Sequence, residues 1–227
     1  MKKLHNKLLS IVNTKQNDLL RIKRSDDVFR SALDAEKKVA ILAEIKLASP
    51  TAVRLGSKRE ILNRAITYEK AGVSAISVIT EPHYFKGDVH FIPRIKRVTH
   101  LPVLQKDFII DPFQVYEAKM IGSDALLFIA RIVRTSQLRK LVSLAQTLGV
   151  EPVVEINDEE DLKKALRTTT KIIAVNARDL RTFVVNVDRA CEVMRKIPDR
   201  YIKLGFSGVH SSVEIKKYKK GWSPSAF

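Results

Sequence analysis

Short runs of β-branched and apolar residues alternate along this chain with longer segments whose apolar positions recur at helical spacing. The runs are VAILAEIK at 39–46, AISVIT at 75–80, PVLQKDF at 102–108, DALLFIARI at 124–132, EPVVEI at 151–156, KIIAVNARD at 171–179 and YIKLGFSG at 201–208, with a stub, SPSAF, at 223–227. Near-continuous apolar strands belong to parallel sheets covered by helices. The spacing predicts helices over 58–71, 89–98, 112–121, 136–148, 159–167, 188–196 and 212–219. Start signals support several: Asp111 before Pro112, then Thr135 and Asp158, are expected N-caps. Asp158, Glu159 and Glu160 put negative charge where the helix dipole favours it. Gly72, Gly122 and Gly149 each follow a helix, as C-cap chemistry asks.

Seven strands and the start of an eighth, alternating with helices, predict an α/β fold, a (β/α)8 TIM barrel. An open doubly wound sheet shares the alternation but calls for a glycine-rich turn after its first strand, which is missing. No linker-like shift in composition divides the chain, so residues 1–227 are expected to form a single domain, with the barrel beginning at about residue 39. Residues 1–33 are expected as a helical extension. Within it a helix over 4–22 would turn Leu8, Leu9, Ile11, Val12, Leu19 and Leu20 onto the barrel. The last strand is expected to be cut short and the last helix to be absent.

Composition narrows the class. Hydrophobic residues make up 45% of 227, enough for a substantial core. A lone cysteine, Cys191, rules out an internal disulfide and suits a reducing, cytoplasmic setting, with core packing its expected role. No apolar run has the length to cross a bilayer, and the interrupted N-terminal pattern is not that of a secretory signal, so no membrane partner is expected. The charge is strongly positive, 41 Lys+Arg against 25 Asp+Glu, or +16. Such a field draws in phosphorylated metabolites or polyanions. The basic residues are spread along the chain without an aromatic-basic module, so nucleic acid is not an expected partner.

The polar residues within the strands gather at their C-terminal ends, where the sites of such barrels lie. Glu44 and Lys46 close the first strand, two apart and hence on one face. Lys106 closes the third with Phe108 on its side, Glu155 the fifth, Asn176 and Arg178 the sixth, and Ser207 with Gly208 the seventh. Buried charges demand partners or a ligand. Lysines close to glutamates have pKa values open to tuning, so one can donate a proton while another binds an anion and a glutamate acts as base. Asparagine and arginine can orient a carboxylate or hydroxyl. The five histidines are scattered, with His83 and His90 read as solvated loop residues, and no His/Cys/Asp grouping has metal-ligand spacing, so neither metal nor cofactor is expected.

At these residues the chain resembles the indole-3-glycerol-phosphate synthases. The likeness is carried in order by AEIKLASP at 43–50, SVITEPHYFKGD at 77–88, LPVLQKDFIIDPFQVYEAK at 101–119, VEINDEEDL at 154–162 and VNARDLRTF at 175–183, and runs from about residue 35 to 210. The resemblance implies a lyase of tryptophan biosynthesis acting on a phosphorylated small molecule. The 1-(2-carboxyphenylamino)-1-deoxyribulose 5-phosphate closes its ring and then loses CO2 and water. It also implies roles: Lys106 as the acid of ring closure, Glu155 as the base of dehydration and Lys46 as holder of the benzoate carboxylate. Glu44 and Asn176 would position substrate and lysines, and Ser49 would bind phosphate. Phe85 and Phe108 would wall the aromatic ring, with Arg178, Ser207 and Gly208 also at the substrate. A monomer or homodimer is expected.

Three departures from the family pattern stand out. Phe206 occupies the place of a glutamate before Ser207, which predicts lost polar contacts and a partly filled pocket. Thr51, Ala52 and Val53 replace a small turn on the phosphate side, and the phosphate loop expected after the eighth strand does not appear before Phe227. The sequence therefore reads either as a piece of a longer product or as a degenerate relative. The second case would be an impaired barrel that binds a phosphorylated ligand without turnover.

Overall fold

The computed structural model describes residues 28–34, 39–49, 56–57 and 59–222. The expected helix at 4–22, the Thr51 to Val53 turn and the 223–227 stub lie outside the described residues.

Seven parallel strands are each hydrogen-bonded to the next in sequence order. They are β1 (Leu42–Ile45), β2 (Ala75–Ile79), β3 (Val103–Lys106), β4 (Ala125–Ile129), β5 (Glu151–Ile156), β6 (Ile172–Asn176) and β7 (Ile202–Phe206). The helices are α1 (Val28–Asp34), α2 (Ile61–Lys70), α3 (Phe91–Ile95), α4 (Pro112–Met120), α5 (Thr135–Thr147), α6 (Glu159–Ala165), α7 (Val187–Arg195) and α8 (Ser212–Trp222). This is a TIM-barrel-like α/β fold.

Strand periodicity sorts the core into an inside and an outside. Val153 of β5 and Ile172 and Ala174 of β6 pack into one interior cluster with Ala75, Leu104, Leu127 and Leu204. Their alternates Val154, Ile156, Ile173 and Val175 pack outward against the helices, as Ile76 and Val78 do on the other side. The sheet is curled. The ring of Phe206 at the end of β7 lies 4.4 Å from the Nζ of Lys106 on β3. In a flat sheet, strands four places apart would be roughly 19 Å from each other. α1 turns Phe29 and Leu33, one helical turn apart, into the interior cluster. Seven residues with two inward positions are too few to show a helical period, so α1 has no sequence signature.

Cap chemistry follows the sequence at two of three positions. Asp111 accepts from the Phe113 N–H, and the Gln114 side chain completes a capping box; Asp158 accepts from the Asp161 N–H. Thr135 is not an N-cap. It is the first residue of α5, and Arg134 stands in the extended cap position with no side-chain bond. α5 is held instead by burial of Leu138, Leu141, Val142 and Ala145. Gly72, Gly122 and Gly149 take the positive φ expected of them, at 73°, 83° and 67°. The fourth run stops as a strand at Ile129 and tightens into a 3-10 turn, Ala130–Ile132. That turn sends Arg131 to the carboxylates of Asp158, Asp161 and Asp179, and so ties the loops after β4, β5 and β6 together.

Candidate active site

The C-terminal ends of the strands open onto one cavity of about 780 Å³, its mouth included. Its wall contains Glu44, Lys46, Ser49, Phe85, Lys106, Phe108, Glu155, Asn176, Arg178 and Ser207. The two-residue spacing brings Glu44 and Lys46 to the same side, although Lys46 lies just past the last paired residue of β1. Gly208 does not line the cavity. Its φ is +71°, and a Cβ there would meet the Val185 and Val187 side chains at 2.8 and 2.7 Å, so backbone conformation and close side-chain packing explain the glycine.

Glu44 is the hub. One carboxylate oxygen accepts from Lys46 at 2.7 Å and the other from Lys106 at 2.9 Å. Burial opposes ionisation of Glu44, but the two ammonium groups reverse this and hold its pKa down at about 2. Lys106 is largely buried, which disfavours its charge; Glu44 and Glu155 together outweigh the burial and leave its pKa above the usual lysine range. Glu155 goes the other way. Burial raises its pKa, and Lys106 and the Asn176 amide offset only part of the rise. The site thus holds two carboxylates of opposite character, one firmly ionised and one inclined to take a proton, beside an ammonium that carries one. Such divergence marks acid-base machinery.

Orientation comes from the ends of β6 and β7. Asn176 donates to Glu155 at 3.0 Å, while its carbonyl oxygen accepts from the Ser207 hydroxyl at 2.8 Å and the Arg178 N–H at 3.0 Å. The amide therefore cannot turn over without losing all three bonds. Ser207 sits at φ +66°, and Tyr218 on α8 reaches in so that its hydroxyl lies 3.0 and 3.1 Å from the Phe206 and Ser207 carbonyl oxygens. Arg178 is steadied by the Phe183 carbonyl at 2.8 Å.

At the mouth, the rings of Phe85 and Phe108 stand 6.4 Å apart and tilted by 40°. Phe85 is placed by Glu81, whose carboxylate accepts from the N–H groups of His83, Tyr84 and Phe85 at 2.7 to 3.0 Å. The Phe85 carbonyl in turn accepts from the Ala48 N–H, linking this loop to the one that carries Ser49.

Sequence reasoning missed Glu81, Leu127, Ile129, Leu180 and Phe183, all on the cavity wall. Leu127 and Ile129 could have been read from the two-residue period of β4. Glu81 and Phe183 could not, because their placement depends on loop hydrogen bonds rather than on any period. Phe206 does not fill the cavity: it is 8% exposed, belongs to the interior cluster and lies under Lys106. His83 and His90 are exposed. Cys191 is buried and packed as expected, its thiol pKa raised by burial. Among the described residues no group of His, Cys, Asp and Glu is placed to hold a metal ion, and no helix is long and apolar enough to cross a membrane.

Residues 2–224 match the family model of indole-3-glycerol phosphate synthase. An indole-3-glycerol phosphate synthase of Campylobacter jejuni subsp. doylei is 39% identical over 201 residues, covering 88% of this chain and 78% of the relative. One from Caldanaerobacter subterraneus subsp. tengcongensis is 39% identical over 202 residues, covering 88% and 77%. Among solved structures, a chain of the tryptophan synthase complex from Pyrococcus furiosus superposes with a TM-score of 0.57 at 14% identity, over 80% of this chain and 84% of that one. Methylornithine synthase gives 0.57 at 14% identity, over 89% and 76%. At such identities these two likenesses concern the fold alone.

Proposed function

The chain belongs to the indole-3-glycerol phosphate synthase family, carboxy-lyases of tryptophan biosynthesis that act on a phosphorylated small molecule, and from that premise we propose how its own residues divide the work. The observation that carries the proposal is the opposite tuning of Glu44 and Glu155 around Lys106.

Lys106 is the general acid of ring closure. As the ring carbon that bears the carboxylate attacks the ketone of the deoxyribulose chain, the ammonium gives its proton to the carbonyl oxygen. Glu44 holds that ammonium at 2.9 Å and keeps it charged until the oxygen develops negative charge. Lys46, on the other oxygen of Glu44, faces the cavity to bind the benzoate carboxylate. That carboxylate then leaves as CO2, returning its electron pair to the ring. Glu155, buried and with a raised pKa, is the base that removes a proton from the substrate carbon. Asn176 and Ser207 fix its orientation. Lys46, freed of the carboxylate, gives a proton to the new hydroxyl so that it departs as water. Phe85 and Phe108 flank the aromatic ring, Ser49 takes the phosphate side and Arg178 lies near the carboxylate. The lone buried thiol suits a cytoplasmic enzyme.

Product fluorescence with the carboxyphenylamino-deoxyribulose phosphate tests this. Wild type is expected to turn over, and Lys106→Met to lose about 100-fold or more of kcat, the usual worth of a positioned acid. A variant with undiminished kcat would remove Lys106 from the role. Phe206, where the family has a glutamate, favours one second reading, a barrel that binds the substrate without converting it. Tight binding with no turnover, and activity appearing in Phe206→Glu, would select that reading.

A further inference from the structure

Lys106 is held from more than one side. Among the described residues its Nζ has a single hydrogen-bond acceptor, Glu44 Oε2 at 2.9 Å, although an ammonium carries three donors. Its Nζ also stands over the face of the Phe206 ring, 4.4 Å from the centroid, well within the range of cation–π attraction. The ring has little freedom: Phe206 is buried in the interior cluster, the carbonyls of Phe206 and Ser207 meet the Tyr218 hydroxyl, and the preceding Gly205 lies against the Tyr218 ring. The charged groups around Lys106 are Glu44 and Lys46 from the end of β1 and Glu155 from β5. Asp107, next in the chain, turns its carboxylate to the Thr80 hydroxyl. Two carboxylates thus meet two ammonium groups, and an aromatic ring beneath Lys106 favours the charged amine without adding a third negative charge to a cavity meant for an anion.

We infer that Phe206 is a positioning residue for Lys106, its ring face fixing the ammonium at the cavity wall and favouring the proton-bearing form. A saturated side chain of similar size would fill the same space but offer no negative face, so the ammonium would lose both a preferred position and part of what keeps it charged. The inference rests on the reading of Lys106 as the acid only for its kinetic consequence. The contact itself is observable without turnover.

The experiment uses the full chain with ε-13C-labelled lysine, the Lys106 signal being identified by its loss in Lys106→Met. Expected in the wild type is an upfield ring-current shift of the Lys106 ε-protons, lost in Phe206→Leu and kept in Phe206→Tyr. The Lys106 titration midpoint is expected to fall by roughly half to one pH unit in Phe206→Leu, the equivalent of the cation–π contact. The kcat of that variant is expected to drop roughly 3- to 10-fold with KM within twofold, and the alkaline limb of its pH profile to move down with the midpoint. Thermal melting of each variant shows which are folded, and Phe206→Met stands in if the leucine variant is not. An unshifted wild-type signal would overturn the inference. So would a leucine variant whose kcat falls while its midpoint stays put, since that is the mark of packing alone. If Lys106→Met keeps full turnover, the acid role fails, whereas the ring-current and titration results still decide the contact.

Discussion

At the scale of single residues, burial decides which of two chemically identical carboxylates acts as base. Glu155 is buried with one neutral amide donor and an ammonium nearby, and its pKa rises above the ordinary 4.5. As base it must be ionised, so kcat/KM should climb with pH through that raised value rather than through the usual glutamate range. The Asn176 hydrogen bond favours the ionised form. Asn176→Ala is therefore expected to push the acid limb to still higher pH and to cut kcat at neutral pH by about 10-fold or more, for want of both donor and orientation. A pH profile of product fluorescence checks it, and an acid limb that stays put would detach Asn176 from Glu155.

At the scale of elements, the site depends on how strand ends are anchored from outside the barrel. α8 sends Tyr218 to the carbonyls at the end of β7, and Gly205 leaves room for that ring, since a Cβ there would come within 2.5 Å of it. Tyr218→Phe keeps the packing and removes the hydroxyl. It is expected to lower stability by about 1 to 2 kcal/mol, the worth of a buried hydrogen bond with its acceptor left behind, and to reduce kcat several-fold because Ser207 loses its support. Urea unfolding and steady-state kinetics on the same variant separate the two effects. Unchanged kinetics with reduced stability would show that α8 holds the strand but not the site.

At the scale of the whole molecule, charge acts at long and short range. With a net charge of +16, capture of a multiply anionic substrate should be faster at low salt, and kcat/KM is expected to fall several-fold between 20 and 300 mM salt, roughly, while kcat changes little. A salt-independent kcat/KM would mean the charge serves no steering. The Glu44 hub also links the site to stability. Its folded pKa of about 2 lies below the ordinary 4.5. Its contribution is therefore complete above about pH 5 and is lost as pH falls toward 2. Melting curves across that window should fall more steeply for wild type than for Glu44→Gln.

Much of this protein is legible in order along its sequence. The seven runs are marked by short apolar stretches, their facing by a period of two and the helices between them by a period of 3.6, all of which act over a few residues. Asp111 and Asp158 likewise act within one helical turn. The same local rule placed Glu44, Lys46, Lys106, Glu155 and Asn176 at strand ends facing one side. Other features belong to the tertiary structure, because their causes are contacts between segments far apart in the chain. The curl of the sheet brings Phe206 beneath Lys106, Tyr218 reaches across from α8 to the Ser207 carbonyl, and Arg131 leaves the strand line for three aspartates on other segments. The sequence by itself determined which residues have the chemistry and which way their strands present them. Only the folded chain decided their protonation, because a pKa answers to burial and to charges a few ångströms away, and no spacing along the chain records either.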